Sequence, residues 1–273
     1  MTPESWQLRT AAPLTVMVPT LAVPVGQSAG VGRRLQHEGR DGGDQRRLHH
    51  AAGPVPAGGA PPRKPPPAGG RRYRLTVAYD GTEFFGWQAQ PNKPTVQGAL
   101  EAALKQLTGE TVRVHSCGRT DTGVHARGQV AHFDLQRPWE TWKLQKGLNA
   151  LLPETVRVPE LRRARPTFHA RYDARGKEYR FHVWNAPVMS PLHRHQAVHV
   201  RAPLDLAAMR KAAALLEGTR DFAAFSANPH RETDGTVRTL WRLAVRKQGA
   251  LVTISATGDG FLYKMVRSLA GHL

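Results

Sequence analysis

The chain has 273 residues, enough for one large domain or two small ones. Its 39 Lys and Arg against 21 Asp and Glu leave a formal charge of +18, which points first to nucleic acid and second to an acidic membrane surface as partner. The single cysteine, Cys117, excludes an intrachain disulfide framework and favours a reducing, cytoplasmic setting, and no stretch nears the roughly 18 apolar residues of a membrane span.

Residues 1–70 differ in composition from the rest. Ala11–Val25 is mildly apolar and follows Arg9, as in a signal peptide, but Pro13, Pro19 and Pro24 interrupt it. Ala51–Gly70 is rich in Pro, Gly and Ala and lacks the apolar surface needed to offset the entropy of ordering. The whole leader, 1–70, reads as disordered, either a basic arm for RNA or a segment without a role. It holds little of the charge surplus: +12 of it belongs to residues 73–273.

Order is predicted from Tyr73, where Tyr73, Leu75, Val77 and Tyr79 alternate with Arg74, Thr76 and Ala78 as in a strand that ends at Asp80-Gly81. Thr95 can cap a helix with Val96, Leu100, Ala103, Leu104 and Leu107 on one face, closed by Gly109. A strand around Val112 and Val114 follows, then a Gly-punctuated loop from Gly118 to Gly128. Next come a strand with Ala131, Phe133 and Leu135 on one face, a helix marked by Leu144, Leu148 and Leu151, and a strand at Val156 and Val158. The order β-α-β-β-α-β is that of a ferredoxin-like unit. It nearly repeats. Tyr179, Phe181 and Val183 mark a strand, Asp205 caps a helix carrying Met209, Ala212, Leu215 and Leu216, and strands follow near 243–245 and 252–254. A last helix carries Leu262, Met265, Val266, Leu269 and Leu273. This second unit reads β-α-β-β-α, without its last strand. The expected fold is α+β, two ferredoxin-like halves at 71–172 and 173–273 forming a largely antiparallel sheet, with helices on one side and a central basic cleft.

The densest chemical signal is Cys117-Gly-Arg-Thr-Asp-Thr-Gly-Val-His-Ala-Arg-Gly-Gln129, joining two strands. Glycines there permit close approach to a ligand. Arg119 and Asp121 stand two apart, so in an extended loop their side chains share one side. A guanidinium there would hold the carboxylate ionised and aimed, as a nucleophile or base requires. The plainer alternative is an Asp that bonds its own backbone in a turn.

The motif from Gly118 to Ala126 resembles the active-site signature of the TruA family of tRNA pseudouridine synthases. So do, in order, Asp80-Gly81-Thr82 with Phe85-Gly86-Trp87-Gln88, Thr95–Glu101, Phe168-His169-Ala170-Arg171, Lys177–Phe181, Asp221-Phe222, and Phe261–Arg267. The resemblance spans about 200 residues. It implies isomerisation of uridine to pseudouridine in the anticodon stem-loop of tRNA, by a homodimer, with no cofactor, metal or membrane. It assigns the essential carboxylate to Asp121 and the active-site tyrosine to Tyr179, and places Arg267 near the carboxylate. Arg119, His125 and Lys177 join Tyr179 and Arg267 as expected substrate-binding residues. Tyr179 also reads as a strand-packing residue, Arg267 as a solvated face, and His125 as a residue that orders the loop or meets RNA. Arg113, Arg127, Arg162, Arg163, Arg165, Arg171, Arg175 and Arg180, with Lys177, are expected to track phosphates. The early C-terminus and the long leader depart from the family pattern. They leave a catalytically inactive RNA-binding fragment as the alternative. A metal-dependent hydrolase ranks last, because the thirteen histidines form no recognised ligand spacing.

Overall fold

The computed structural model describes residues 65–228 and 235–273, and the backbone of 14–20. Its described elements are four α-helices and ten strands in two sheets.

The first sheet comprises β2 (Arg71–Tyr79), β3 (His115–Ser116), β4 (Ala126–Leu135) and β5 (Val156–Ala164), ordered β3-β4-β2-β5 with every pairing antiparallel. The alternation of β2 sends Tyr73, Leu75, Val77 and Tyr79 into one core. Tyr73 lies in register with Phe133, and their rings stack at 5.5 Å. Helices α1 (Val96–Thr108) and α2 (Thr141–Leu151) cover this face through Leu100, Leu104, Leu144 and Leu148. Full burial of each such leucine stabilises by about 1.5–3 kcal/mol. Thr95 caps α1 by accepting from the Gly98 N–H, and Gly109 ends it in the left-handed region, both as expected.

The expected strand around Val112 and Val114 is reduced to His115–Ser116. The backbone of Val114 is engaged by helix side chains instead: its N–H donates to Glu101 Oε1 at 2.9 Å, and its carbonyl accepts from Gln97 Nε2 at 3.2 Å. With both groups satisfied by α1, no ladder partner is needed.

The second sheet runs β1-β6-β10-β9-β8, with the short β7 (Val198–Val200) parallel to β6. Here β1 is Leu14–Thr20, β6 Gly176–Asn185, β8 Gly218–Asp221, β9 Val237–Gln248 and β10 Leu251–Gly258. Helices α3 (Leu206–Leu216) and α4 (Met265–His272) pack on the face carrying Phe181, Val183, Val245, Val252 and Ile254. Asp205 caps α3 by accepting from the N–H groups of Ala207 and Ala208.

Most of the leader expected to be disordered lies outside the described residues. The segment 14–20 departs from that expectation, pairing antiparallel with β6 over 176–181 and passing alongside β4. The outer edge of β6 offers unpaired backbone groups, and a Val-rich stretch suits a strand. Pro19 is compatible with that place, because a sheet edge tolerates a residue without an N–H.

Candidate active site

Residues 117–125 link β3 to β4. The Cys117 N–H still donates to the Val130 carbonyl at 2.9 Å, and then the chain leaves the sheet. The Gly118 carbonyl accepts from Ser116 Oγ and from Gln129 Nε2, which fixes the departure. The loop lies on the turn that follows β2. Trp87 N–H donates to the Thr120 carbonyl at 3.0 Å, and Gly123 N–H donates to the Phe84 carbonyl at 3.3 Å. Tyr79 and Thr120 share a hydrogen bond of 2.7 Å between hydroxyls. Two glycines make this seating possible. A Cβ on Gly81 would stand 2.0 Å from the Val124 carbonyl oxygen, and one on Gly86, whose φ is +78°, 2.4 Å from that of Thr120. The Asp-Gly and Phe-Gly-Trp pieces of the sequence are thus the bed of the loop.

Asp121 opens from the loop into a cleft of about 140 Å³ lined also by Arg119, Tyr179, Phe261, Lys264 and Arg267. A single water needs only roughly 10–15 Å³ by the same measure, so the space admits a planar ring. Tyr179 comes from β6, with its ring edge-on to Phe261 at 5.0 Å and 76°. Burial raises its hydroxyl pKa, as do the charges of Cys117 and Asp121, so the phenol stays protonated. Arg267 comes from the first turn of α4. Burial lowers its pKa, while the Asp121 carboxylate pulls it back up. A guanidinium deprotonates too far above neutrality for this to remove its charge. The cleft therefore holds a half-buried carboxylate, a fixed cation and a protonated phenol around an apolar ring. That set can aim an anionic oxygen at a planar substrate and move one proton. Just before α4, Lys264 holds φ +60°, an uncommon conformation for a residue with a side chain.

The expected site residues divide. Asp121, Tyr179, Arg119 and Arg267 share the cleft; His125 and Lys177 are not on its lining. Arg119 is exposed, and among the described residues no ion pair joins it to Asp121. The Asp121 carboxylate acts on the Arg267 guanidinium across the cleft. His125 is buried beneath the loop. Its Nε2 donates to the His195 carbonyl at 2.7 Å, and its Nδ1 stands 3.0 Å from Asp80 Oδ1 and 3.3 Å from the Gly81 nitrogen. The neutral ring accepts from Gly81, the charged ring donates to Asp80, and either way three segments are tied together. Burial raises the Asp80 pKa, but the Thr82 hydrogen bonds and the charges of His125 and His195 outweigh it and bring it below the usual carboxylate range. Lys177 is half-buried near Cys117, and its pKa is lowered by burial.

Sequence reasoning missed Thr120, Phe261 and Lys264 as lining residues and Tyr79 as the anchor of Thr120. The first three stand inside or beside motifs already quoted, so position was the available signal. Of the expected phosphate-tracking residues, Arg113, Arg162, Arg163, Arg165 and Arg180 each lie within 4 Å of a carboxylate. Among the described residues no group of three His, Cys, Asp or Glu is placed to hold a metal ion, and no helix is long and apolar enough to cross a membrane.

A profile of the family described as tRNA pseudouridine synthase matches residues 75–173 and 212–273. The chain is similar to proteins called tRNA pseudouridine synthase A from several bacteria. It is 45% identical to that of Neisseria meningitidis serogroup B over 74% of this chain and 77% of the relative. Identity is 46% to that of Brevibacillus brevis, over 74% and 83%. It is also 46% to that of Halalkalibacterium halodurans, over 74% and 77%. The matched segments contain the loop of Asp121, its bed and the helix that carries Arg267.

Proposed function

Because the chain belongs to the tRNA pseudouridine synthase family, we propose that it isomerises uridine to pseudouridine in the anticodon stem-loop of tRNA, with Asp121 as the catalytic carboxylate. One observation carries this reading: Asp121 faces Tyr179 and Arg267 across a cleft sized for a planar ring. The reaction breaks the N1–C1′ bond and forms a C5–C1′ bond. C5 gives up its hydrogen as a proton, N1 gains one, and no atom is added overall. A uridine inside a helix cannot reach the cleft, so it must leave its stack. Asp121 supplies the anionic oxygen for the base or the sugar. Tyr179 offers a ring to stack on the extruded uracil and a hydroxyl to exchange its proton. Arg267 sets a fixed positive charge beside Asp121, and Arg119 at the exposed mouth meets the RNA. His125 and Lys177 support this arrangement from behind the cleft.

In this reading the chain comprises two ferredoxin-like halves, 71–172 and 173–273, and works as a homodimer on one tRNA. The strand order β3-β4-β2-β5 supports that assignment for the first half. The order β6-α3-β9-β10-α4, with the short β7 and β8 interposed, supports it for the second.

The test is tritium release from tRNA labelled at uridine C5, since C5 loses its hydrogen only when the new bond forms. Release by the parent and none by Asp121→Asn, with tRNA binding retained, is the expected result. A folded parent that binds tRNA and releases nothing would reduce the protein to an RNA binder. Loss of binding in Asp121→Asn would assign that residue to recognition instead.

A further inference from the structure

We propose that a patch of rings formed by His115, His169 and Tyr172, outside the catalytic cleft, is a stacking site for an unpaired nucleobase of the RNA. The proposal rests on the RNA reading above and adds a second subsite to it.

The patch is built around buried His132 on β4. The His115 ring stacks on His132 at 5.1 Å and 23°. His169 meets the same imidazole at 4.6 Å, and Tyr172 lies over His169 at 4.3 Å with a 34° tilt. The His132 Nδ1 accepts from the Ala170 N–H at 3.2 Å, so the base of the patch is locked to the segment that carries its outer rings. That segment is pinned again by Arg72, which donates to the Phe168 carbonyl at 2.7 Å while pairing with Asp134 at 2.8 Å.

Solvent reaches the outer rings. His115 is exposed, His169 is half-buried, and Tyr172 is 39% exposed. Arg171 lies over the Tyr172 ring at 5.9 Å, and Arg113 is two residues from His115. Nearby carboxylates are already engaged: Asp134 pairs with Arg72. Asp173 accepts from the His169 N–H and from Arg165, and Glu101 accepts from Gln97 and from the Val114 N–H. Flat, polar-edged rings beside guanidinium groups suit a base with its phosphates better than an apolar peptide. Burial and the charges of His169, His115 and Arg72 push His132 down to about 3, so the innermost ring is neutral at ordinary pH and the stack carries no buried cation.

The patch is also well sited. Phe168 and Ala170, from the same segment, share with Cys117 and Val130 a buried cluster against which Tyr179 packs. A nucleotide adjoining the extruded uridine needs a surface for the base that has lost its neighbour, and these rings lie beside the wall that holds the active-site tyrosine.

The experiment compares Tyr172→Ala and Tyr172→Phe with the parent. It measures kcat and KM for tRNA, and Kd for a single-stranded oligouridylate and for a fully paired RNA duplex. Tyr172→Ala is expected to raise KM and the oligouridylate Kd about tenfold, to leave kcat within about twofold, and to leave duplex binding unchanged. Tyr172→Phe, which keeps the ring, should behave as the parent. Unchanged KM and Kd in Tyr172→Ala would overturn the proposal. So would equal losses in Tyr172→Phe, or an equal loss of duplex binding. If the parent makes no pseudouridine the isomerase reading fails, yet the oligouridylate and duplex Kd values still decide the stacking site.

Discussion

Tyr79 and Thr120 meet in the buried floor of the Asp121 loop, one residue before Asp121. Tyr79→Phe removes that bond and leaves the Thr120 hydroxyl without its partner, a cost of about 1–3 kcal/mol. Part of this should appear as a lower melting temperature. The rest should appear as a fall in kcat at nearly constant KM, because the loop that aims the carboxylate slackens while the RNA surface is untouched. Burial sets the acid behaviour of His132. Its folded pKa of about 3 lies below the ordinary 6.5, so between those values the unfolded chain binds a proton that the native protein does not. Stability therefore falls as pH drops from 6.5 to 3, by up to about 1.4 kcal/mol per unit from this group. His132→Asn, which can still accept from Ala170, should flatten the slope in denaturant titrations across that window. At this scale the sequence announced Asp121, Tyr179 and Arg267 because each sits in a motif. Tyr79 stayed hidden because its alternation with Tyr73, Leu75 and Val77 reads as core, and it is core at every atom but its hydroxyl.

Between β2 and α1, the turn from Asp80 to Trp87 acts as a cradle with no tolerance for added atoms. Gly81→Ala forces a methyl into the Val124 carbonyl. It should cost more than about 1 kcal/mol and should lower kcat by displacing the loop. Thermal unfolding with single-turnover kinetics checks both. Periodicity revealed the helices and the long strands, since a core face imposes its repeat on the residues. It failed at β3, where Gln97 and Glu101 took over the Val114 backbone, and at β7 and β8, which are too short to show a repeat. It failed also at β1, which fell within a leader read as disordered but for which an open strand edge supplied the partner. Deleting residues 1–64 should uncover that edge and lower the melting temperature, about 2–4 °C for each kcal/mol lost.

Across the whole molecule part of the 39 Lys and Arg is engaged by nearby carboxylates. Arg162 and Arg180 lie within hydrogen-bonding distance of Glu160 and Glu178, and exposed pairs of this kind add little stability. Such pairs also lessen the charge offered to phosphates. The logarithm of the tRNA binding constant should fall linearly with the logarithm of salt concentration, with a slope set by the phosphates contacted and far below the number of Lys and Arg residues. A filter-binding series at several salt concentrations gives that slope, and one approaching the number of Lys and Arg would mean that the carboxylates release their arginines on binding.

Cys117 begins the loop of Asp121 and has no exposed surface, its thiol pKa raised by burial and its sulfur 3.8 Å from Gln129 Oε1. Because the chain has no other cysteine, this sulfur is a built-in clock for the loop. A thiol-reactive dye can label it only while the loop stands open, so the labelling rate of the native protein, measured with and without bound RNA, times the breathing of the catalytic segment without any engineered probe.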